Sequence, residues 1–324
     1  MNEITLFSMN CQGLANYRNR KDVLNYIRAH EYKIVCLQDI HITKNTANLM
    51  LNEWGYGGVI APYSSSARGV AVLFNNRLEY KILKSTTDQN GNYIILDLKI
   101  EDDNFTLVNL YGPNTDSPEF YKKVFSQIDF DRPVIICGDW NLTLNWTIDT
   151  ENYKRNNNPH ATNIVLETIS DNDLCDPWRI QHPREKGFTW RKKNPRKQAR
   201  LDFFLVTEDV MTYITESKII PGYKTDHSAV CLTLSMTNET RGRGYWKFNN
   251  SLLRDNMFVQ KTKEIISDVM KQYAASPYDR NELMSVPKEK IHYQISDQLL
   301  LEGLLMEIRQ QTMKYSAKKK KEQT

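Results

Sequence analysis

Polar residues that close short apolar runs are where this sequence could do chemistry. Ile4-Thr5-Leu6-Phe7-Ser8-Met9 stops at Asn10, Ile34-Val35-Cys36-Leu37 leads to Asp39, Leu107-Val108-Asn109-Leu110 to Tyr111, and Val134-Ile135-Ile136-Cys137-Gly138 to Asp139 and Asn141. Asp202 interrupts Leu201-Asp202-Phe203-Phe204-Leu205, and Asp226-His227 comes just before Ala229-Val230-Cys231-Leu232. The runs have the length and composition of buried strands. A buried strand that ends in a carboxylate must aim it at a partner, since an unpaired buried charge costs several kcal/mol. One such strand means little. Their recurrence predicts one edge of a sheet core that collects oxygen ligands around a hard divalent cation.

Phosphodiester hydrolysis needs a Lewis acid on a phosphate oxygen, a group that prepares water, and a donor that offsets charge on the leaving oxygen. Asp39 is the natural metal ligand, with Asn10 helping to hold the metal or its waters. Asp139 and Asn141 share Gly138-Asp139-Trp140-Asn141, where an extended chain would place both side chains on one face. Gly138 would let a phosphate approach closely. Asp202 is the expected partner of His227, fixing its tautomer and raising its pKa so that it stays protonated against a phosphate. Tyr111 could donate to the scissile phosphate. Each has a plainer reading when taken alone: a solvated strand end, an Asx turn, a structural histidine or amphipathic tyrosine packing.

The elements that must position these residues follow from the rest of the chain. At 324 residues, 40% hydrophobic and 25% charged, the sequence can fill a full core and carry an appendage. Residues 1–236 alternate strand runs with helices such as Arg18 to His30 and Asp116 to Phe130, a mixed α/β body. Residues 237–250 break the pattern with polar residues and glycines and read as a linker. Residues 251–324 carry apolar residues at helical spacing and read as a helical extension. No run reaches the roughly 18 apolar residues of a membrane span, so no membrane partner is expected and the protein reads as intracellular. The five cysteines lack metal-ligand spacing and read as reduced thiols. The net charge of +4 is uneven: Arg191, Lys192, Lys193, Arg196, Lys197 and Arg200 form a stretch without an acid, and a polyanion is the expected partner.

Asn10, Gln38-Asp39, Tyr111 with Asn114, Gly138-Asp139-Trp140-Asn141, Thr189, Leu201-Asp202 and Thr225-Asp226-His227 together resemble the ordered motifs of the endonuclease/exonuclease/phosphatase superfamily. Within it, the chain resembles the apurinic-like endonuclease domain of LINE-type non-LTR retrotransposons. Arg241-Gly242-Arg243-Gly244-Tyr245-Trp246 and the residues after it resemble the segment that follows that domain in their second open reading frame protein. The resemblance implies a DNase I-like four-layer sandwich of two facing mixed β-sheets flanked by helices. It implies Mg2+, or Mn2+ in its place, and a nick in double-stranded target DNA whose 3′-hydroxyl primes reverse transcription. The element RNA and a reverse transcriptase domain would then be partners, and the nucleus the place of action.

By the same resemblance Asp39 and Asn10 attend the metal, Asp139 orients or deprotonates water, and Asn141 holds phosphate or water. His227, oriented by Asp202, would bind the phosphate with support from Tyr111 and Asn114, and Asp226 would assist the metal or position His227. One departure is that the family usually has glutamate where this chain has Asp39. Thr189 to Arg200, with a turn at Asn194-Pro195, reads as a basic hairpin beside the site. Thr189, Arg191, Lys192, Lys193, Arg196, Lys197, Arg200 and Thr225 are its expected DNA contacts. A phosphatase of the same superfamily and a catalytically weak DNA-binding module are the competing readings.

Overall fold

The computed structural model describes residues 2–236, 248, 250–275 and 292–323. The chain divides into two compact units, Met1–Gly242 and Arg243–Thr324. In the first, the apolar runs become the strands of two sheets. The six-stranded sheet contains β1 (Asn2–Asn10), β2 (Ile34–Gln38), β3 (Gly58–Ala61), β4 (Val70–Phe74), β13 (Ile214–Ile220) and β14 (Ala229–Met236), in the order β13-β14-β1-β2-β4-β3. The five-stranded sheet contains β5 (Tyr80–Thr87), β6 (Tyr93–Ile100), β7 (Asp103–Tyr111), β8 (Val134–Asp139) and β12 (Asp202–Val206), in the order β12-β8-β7-β6-β5. Each sheet mixes one parallel pair, β1 with β2 or β7 with β8, with antiparallel neighbours.

Alternation along each strand explains the layering. Leu6, Ile34, Val72 and Phe74 from one sheet meet Leu96, Leu107, Ile135 and Phe204 from the other in a shared core. The opposite faces are apolar as well, and each needs a helical cover. Phe7, Val35 and Leu37 pack under α1 (Tyr17–Ala29) and α2 (Lys44–Trp54). Val108, Ile136 and Phe203 pack under α3 (Pro118–Phe125) and α4 (Pro159–Asp171). The result is the expected four-layer sandwich. The helix expected from Asp116 to Phe130 spans only Pro118–Phe125, with Pro118 in its first turn and Ser126 capping its end.

A polar plug crosses the core beneath the cleft end. Gln38 Nε2 donates to Ser8 Oγ at 2.9 Å and to Asn109 Oδ1 at 2.7 Å, and Asn109 Nδ2 donates to the carbonyls of Leu37 and Ala71. These bonds tie the two sheets in one register just behind the ends of β1, β2 and β7, a placement apolar packing alone does not specify.

The second unit contains α5 (Asn256–Tyr273) and α6 (Asp297–Gln323). Asp255 caps α5 and also accepts the Tyr315 hydroxyl at 2.9 Å, while Phe258 meets the Tyr315 ring edge-on. Almost all of the linker expected over 237–250 lies outside the described residues. No helix among the described residues is long and apolar enough to cross a membrane.

Candidate active site

Strand ends converge as the register dictates. Asn10 ends β1, Asp39 follows β2, Tyr111 ends β7 and Asp139 ends β8, while β12 begins at Asp202 and His227 lies just before β14. Because β8 and β12 run antiparallel, Asp202 sits directly opposite Asp139, and Tyr111 is the parallel neighbour of Asp139. The cleft above them measures about 290 Å³, and its walls include Asn10, Asp39, Tyr111, Asn114, Asp139, Asn141, Asp226 and His227. Asp202 lies beneath this surface, 1% exposed and directly behind His227.

Asp139 is held from three directions. Asn10 Nδ2 donates to its Oδ2 at 2.9 Å, the Asn141 main-chain N–H to its Oδ1 at 3.0 Å, and His227 Nε2 lies 3.9 Å from Oδ2. Burial, and then the Asp202 carboxylate, push the pKa of Asp139 up to about 7, against the opposing pull of His227 and Asn10. His227 Nδ1 lies 2.8 Å from Asp202 Oδ2. An ionised carboxylate only accepts, so Nδ1 carries the proton and Nε2 is the edge turned toward Asp139. Burial alone would depress His227, but Asp202 and Asp139 outweigh it and raise its pKa to about 10. The imidazole is therefore a fixed, charged donor.

The other wall is more open. Asp39 takes a left-handed conformation, φ 52°, directly after β2, and its Oδ1 accepts the Arg68 main-chain N–H at 3.0 Å with His41 Nε2 at the same distance. Aspartate tolerates this conformation better than most residues, and the strain is of the kind stored at functional sites. Tyr111 shares the cleft wall with Asp39 and Asn114, and burial followed by the charges of Asp39 and Asp139 raises its pKa, so the phenol keeps its proton. Asp226 is exposed at the rim and accepts from the Trp190 indole at 3.2 Å.

The cleft offers two settings for a metal. Asp139, Asp202 and His227 have ligand atoms within 4.8 Å of one another. His227 Nδ1 is taken up by Asp202, so Nε2 could ligate only as the deprotonated nitrogen, giving up the proton it would otherwise donate. The cleft walls also carry Asp39, Asp226 and the Asn10 amide oxygen, oxygen donors of the kind that suits a hard cation.

Several sequence expectations change on contact with the geometry. Asp139 and Asn141 do face one cleft, though not by strand alternation. Asn141 is left-handed, φ 51°, and its amide donates to the Gly112 carbonyl at 2.8 Å. Trp140 between them is fully buried, stacked on Phe203 at 4.8 Å, and anchors that turn. Gly138 serves the fold: at φ 145°, a Cβ there would lie 1.9 Å from the Leu110 carbonyl oxygen, so it admits the neighbouring strand rather than a phosphate. Asp202 opens its strand instead of lying within it.

Arg200 and Thr189 are not DNA contacts. Arg200, 1% exposed, bonds Asp149 through Nε at 2.8 Å and Asp176 through Nη2 at 2.7 Å. Thr189 is fully buried. Thr225 is half-buried, and its hydroxyl accepts the His227 main-chain N–H at 3.2 Å, which shapes the turn into β14. The remaining cations do belong to a hairpin. It consists of β10 (Trp190–Lys192) and β11 (Lys197–Ala199), with β9 (Thr150–Glu151) alongside, and Arg191, Lys192, Lys193 and Arg196 are exposed while Lys197 is half-buried.

Sequence reading passed over Gln12, Tyr153, Asn157, Asn158 and Trp190, which also line the cleft. It also passed over Arg68, whose guanidinium lies 4.9 Å from the Tyr63 ring while its main chain holds Asp39. None of these ends an apolar run, so the signal that marked the others was absent; only Trp190, next to the basic stretch, had a neighbour pointing to it.

Among proteins of known sequence, the chain is 27% identical over 269 residues to "Transposon TX1 uncharacterized 149 kDa protein" of Xenopus laevis, a match covering 81% of this chain and only 20% of that protein. It is 25% identical over 260 residues to the "Exodeoxyribonuclease" of Bacillus subtilis, covering 71% of this chain and 99% of that one. Its fold is similar to that of the AP endonuclease LMAP from Leishmania major, with a TM-score of 0.60 at 15% identity over 72% of this chain and 88% of that chain. Residues 7–227, which hold every cleft residue named above, match the Endonuclease/Exonuclease/phosphatase family, and the chain belongs to that family.

Proposed function

We propose that this chain is a divalent-metal-dependent DNA endonuclease of a non-LTR retrotransposon, which nicks double-stranded target DNA and leaves a 3′-hydroxyl primer for reverse transcription. The observation that carries the reading is the buried Asp202–His227 pair abutting Asp139 at the floor of a polar cleft. The resemblance to a transposon protein and to an exodeoxyribonuclease supports DNA as the substrate. Element RNA and a reverse transcriptase domain are the partners this reading assigns, and the nucleus is the compartment it requires.

The proposed chemistry follows from the geometry. Asp39, Asn10 and Asp226 would hold Mg2+ or Mn2+, which when bound supplies Lewis acidity to a phosphate oxygen. Asp139, clamped by Asn10 and Asn141, accepts a proton from the attacking water or orients it. Its raised pKa keeps it basic enough for that work near neutral pH. His227 presents Nε2–H to a phosphate oxygen and offsets the charge that builds up in the transition state, while Asp202 holds the ring in one tautomer. Tyr111 and Asn114 add donors from the facing wall, and the exposed hairpin cations meet the DNA backbone.

The test is supercoiled plasmid incubated with the chain and Mg2+, with inositol phosphates as a parallel substrate. The reading requires chelator-sensitive nicks that a DNA polymerase extends without end repair, and no phosphate release from the inositol phosphates. Phosphate release without nicking would make the protein a phosphatase; intact DNA binding without hydrolysis would make it a binding module.

A further inference from the structure

Thr189 lies at the foot of the hairpin, fully buried, and holds the main chain on both sides of the catalytic pair. Its hydroxyl oxygen accepts the N–H of Leu201 at 2.9 Å and of Asp202 at 3.0 Å, fixing the start of the strand that carries Asp202. Its carbonyl accepts the N–H of Ser228, the residue after His227, at 2.6 Å. Its own N–H donates to the Ala199 carbonyl at 3.0 Å, closing the hairpin beneath it. One residue therefore sets the spacing between the histidine and the carboxylate that orients it.

The next two residues extend the same seam. Trp190 bridges His227 in antiparallel fashion and gives its indole N–H to Asp226 Oδ2 at 3.2 Å. Arg191 Nη1 donates to Ser228 Oγ at 2.9 Å. Residues 189–191 thus grip residues 226–228 by main chain and side chain alike. The strand that leads out to the exposed cations is the strand that holds the histidine.

We propose that Thr189 is a positioning residue for the His227–Asp202 pair, and that through the strand it opens the basic hairpin is coupled to the hydrolytic step. The kinetic consequence rests on the endonuclease reading; the structural one does not. A hydroxyl that accepts two N–H groups has no substitute in the isosteric valine, whereas serine keeps it.

The experiment compares the full chain with Thr189→Val and Thr189→Ser. Single-turnover nicking and DNA affinity are measured alongside the proton NMR signal of the His227 Nδ1–H bonded to Asp202. We expect Thr189→Val to lose or shift that signal and to nick roughly tenfold to a hundredfold more slowly, with DNA affinity changed less than about twofold. Thr189→Ser should match the wild type in all three. Weakened DNA binding at unchanged turnover would overturn the proposal and leave Thr189 a support of the DNA-binding hairpin alone. A wild-type signal in Thr189→Val would overturn it too, and that arm decides even if the wild type does not nick. Should Thr189→Val fail to fold, Trp190→Phe keeps an aromatic ring at a half-buried site and removes the pyrrole ring with the N–H it gives to Asp226. Its His227 signal should shift, and an unchanged signal would overturn the coupling.

Discussion

The base and the tip of the basic hairpin share one stretch of sequence and have opposite fates. At the base, Arg200 is shut inside with Asp149 and Asp176, and Thr189 is fully buried. At the tip, Lys192, Lys193 and Arg196 stand in solvent, Arg196 approaching Glu151 at 3.9 Å. A run of cations without acids therefore combines two devices. One cation neutralises carboxylates brought from distant segments and fixes the hairpin to the body. The others have charge to offer a polyanion.

Breaking the base should cost most. Arg200→Ala removes the two nitrogens that meet buried Asp149 and leaves it Arg179 at 2.6 Å, so urea unfolding should show a loss of about 2–3 kcal/mol. Lys193→Ala at the tip should stay within about 0.5 kcal/mol of wild type. Equal costs at the two positions would erase the distinction.

His227 offers a prediction in pH. Its folded pKa of about 10 lies above the ordinary 6.5, so its stabilising contribution is fully present below pH 6.5 and is lost as pH rises through about 10. The stability advantage of wild type over His227→Gln should shrink across that window. Asp202→Asn removes the largest of the influences that raise this pKa, so the alkaline limb of nicking should move to lower pH; an unmoved limb would show that Asp202 does not hold the proton on His227.

The tip should act through salt. Replacing Lys192, Lys193, Arg196 and Lys197 by alanine should lower the slope of log affinity against log salt by about 0.9 for each cation that reaches a phosphate, with the fold intact. An unchanged slope would move the DNA track elsewhere, to Arg68 and Tyr63 for example. The smallest expected effect is that of Asp39→Glu, which restores the family's usual length: it should change the Mg2+ concentration for half-maximal nicking while leaving DNA affinity alone.

The layered fold was legible because buried strands are written as continuous apolar runs, and because the residues that end them are too polar to be core. The same signal brought Asn10, Asp39, Tyr111, Asp139 and His227 to notice together. What it missed depends on pairing across distance. Nothing near Arg200 in the sequence reveals Asp149, which meets it 51 residues away along the chain. Nothing local shows that Thr189 touches both Asp202 and Ser228. Strand alternation for Asn141 and phosphate approach for Gly138 are not the reasons that operate, since left-handed and positive-φ backbone there is decided by the packing of Trp140 and the closeness of Leu110.

His227 acting as a charged donor to phosphate at the cleft floor is the centre of the proposed chemistry. The direct measurement is single-turnover nicking of supercoiled plasmid in Mg2+ by wild type and His227→Ala, with DNA affinity recorded in the same buffer. Losing that donor should slow nicking by about a hundredfold to a thousandfold at nearly constant affinity. A rate within about threefold of wild type would rule the donor role out.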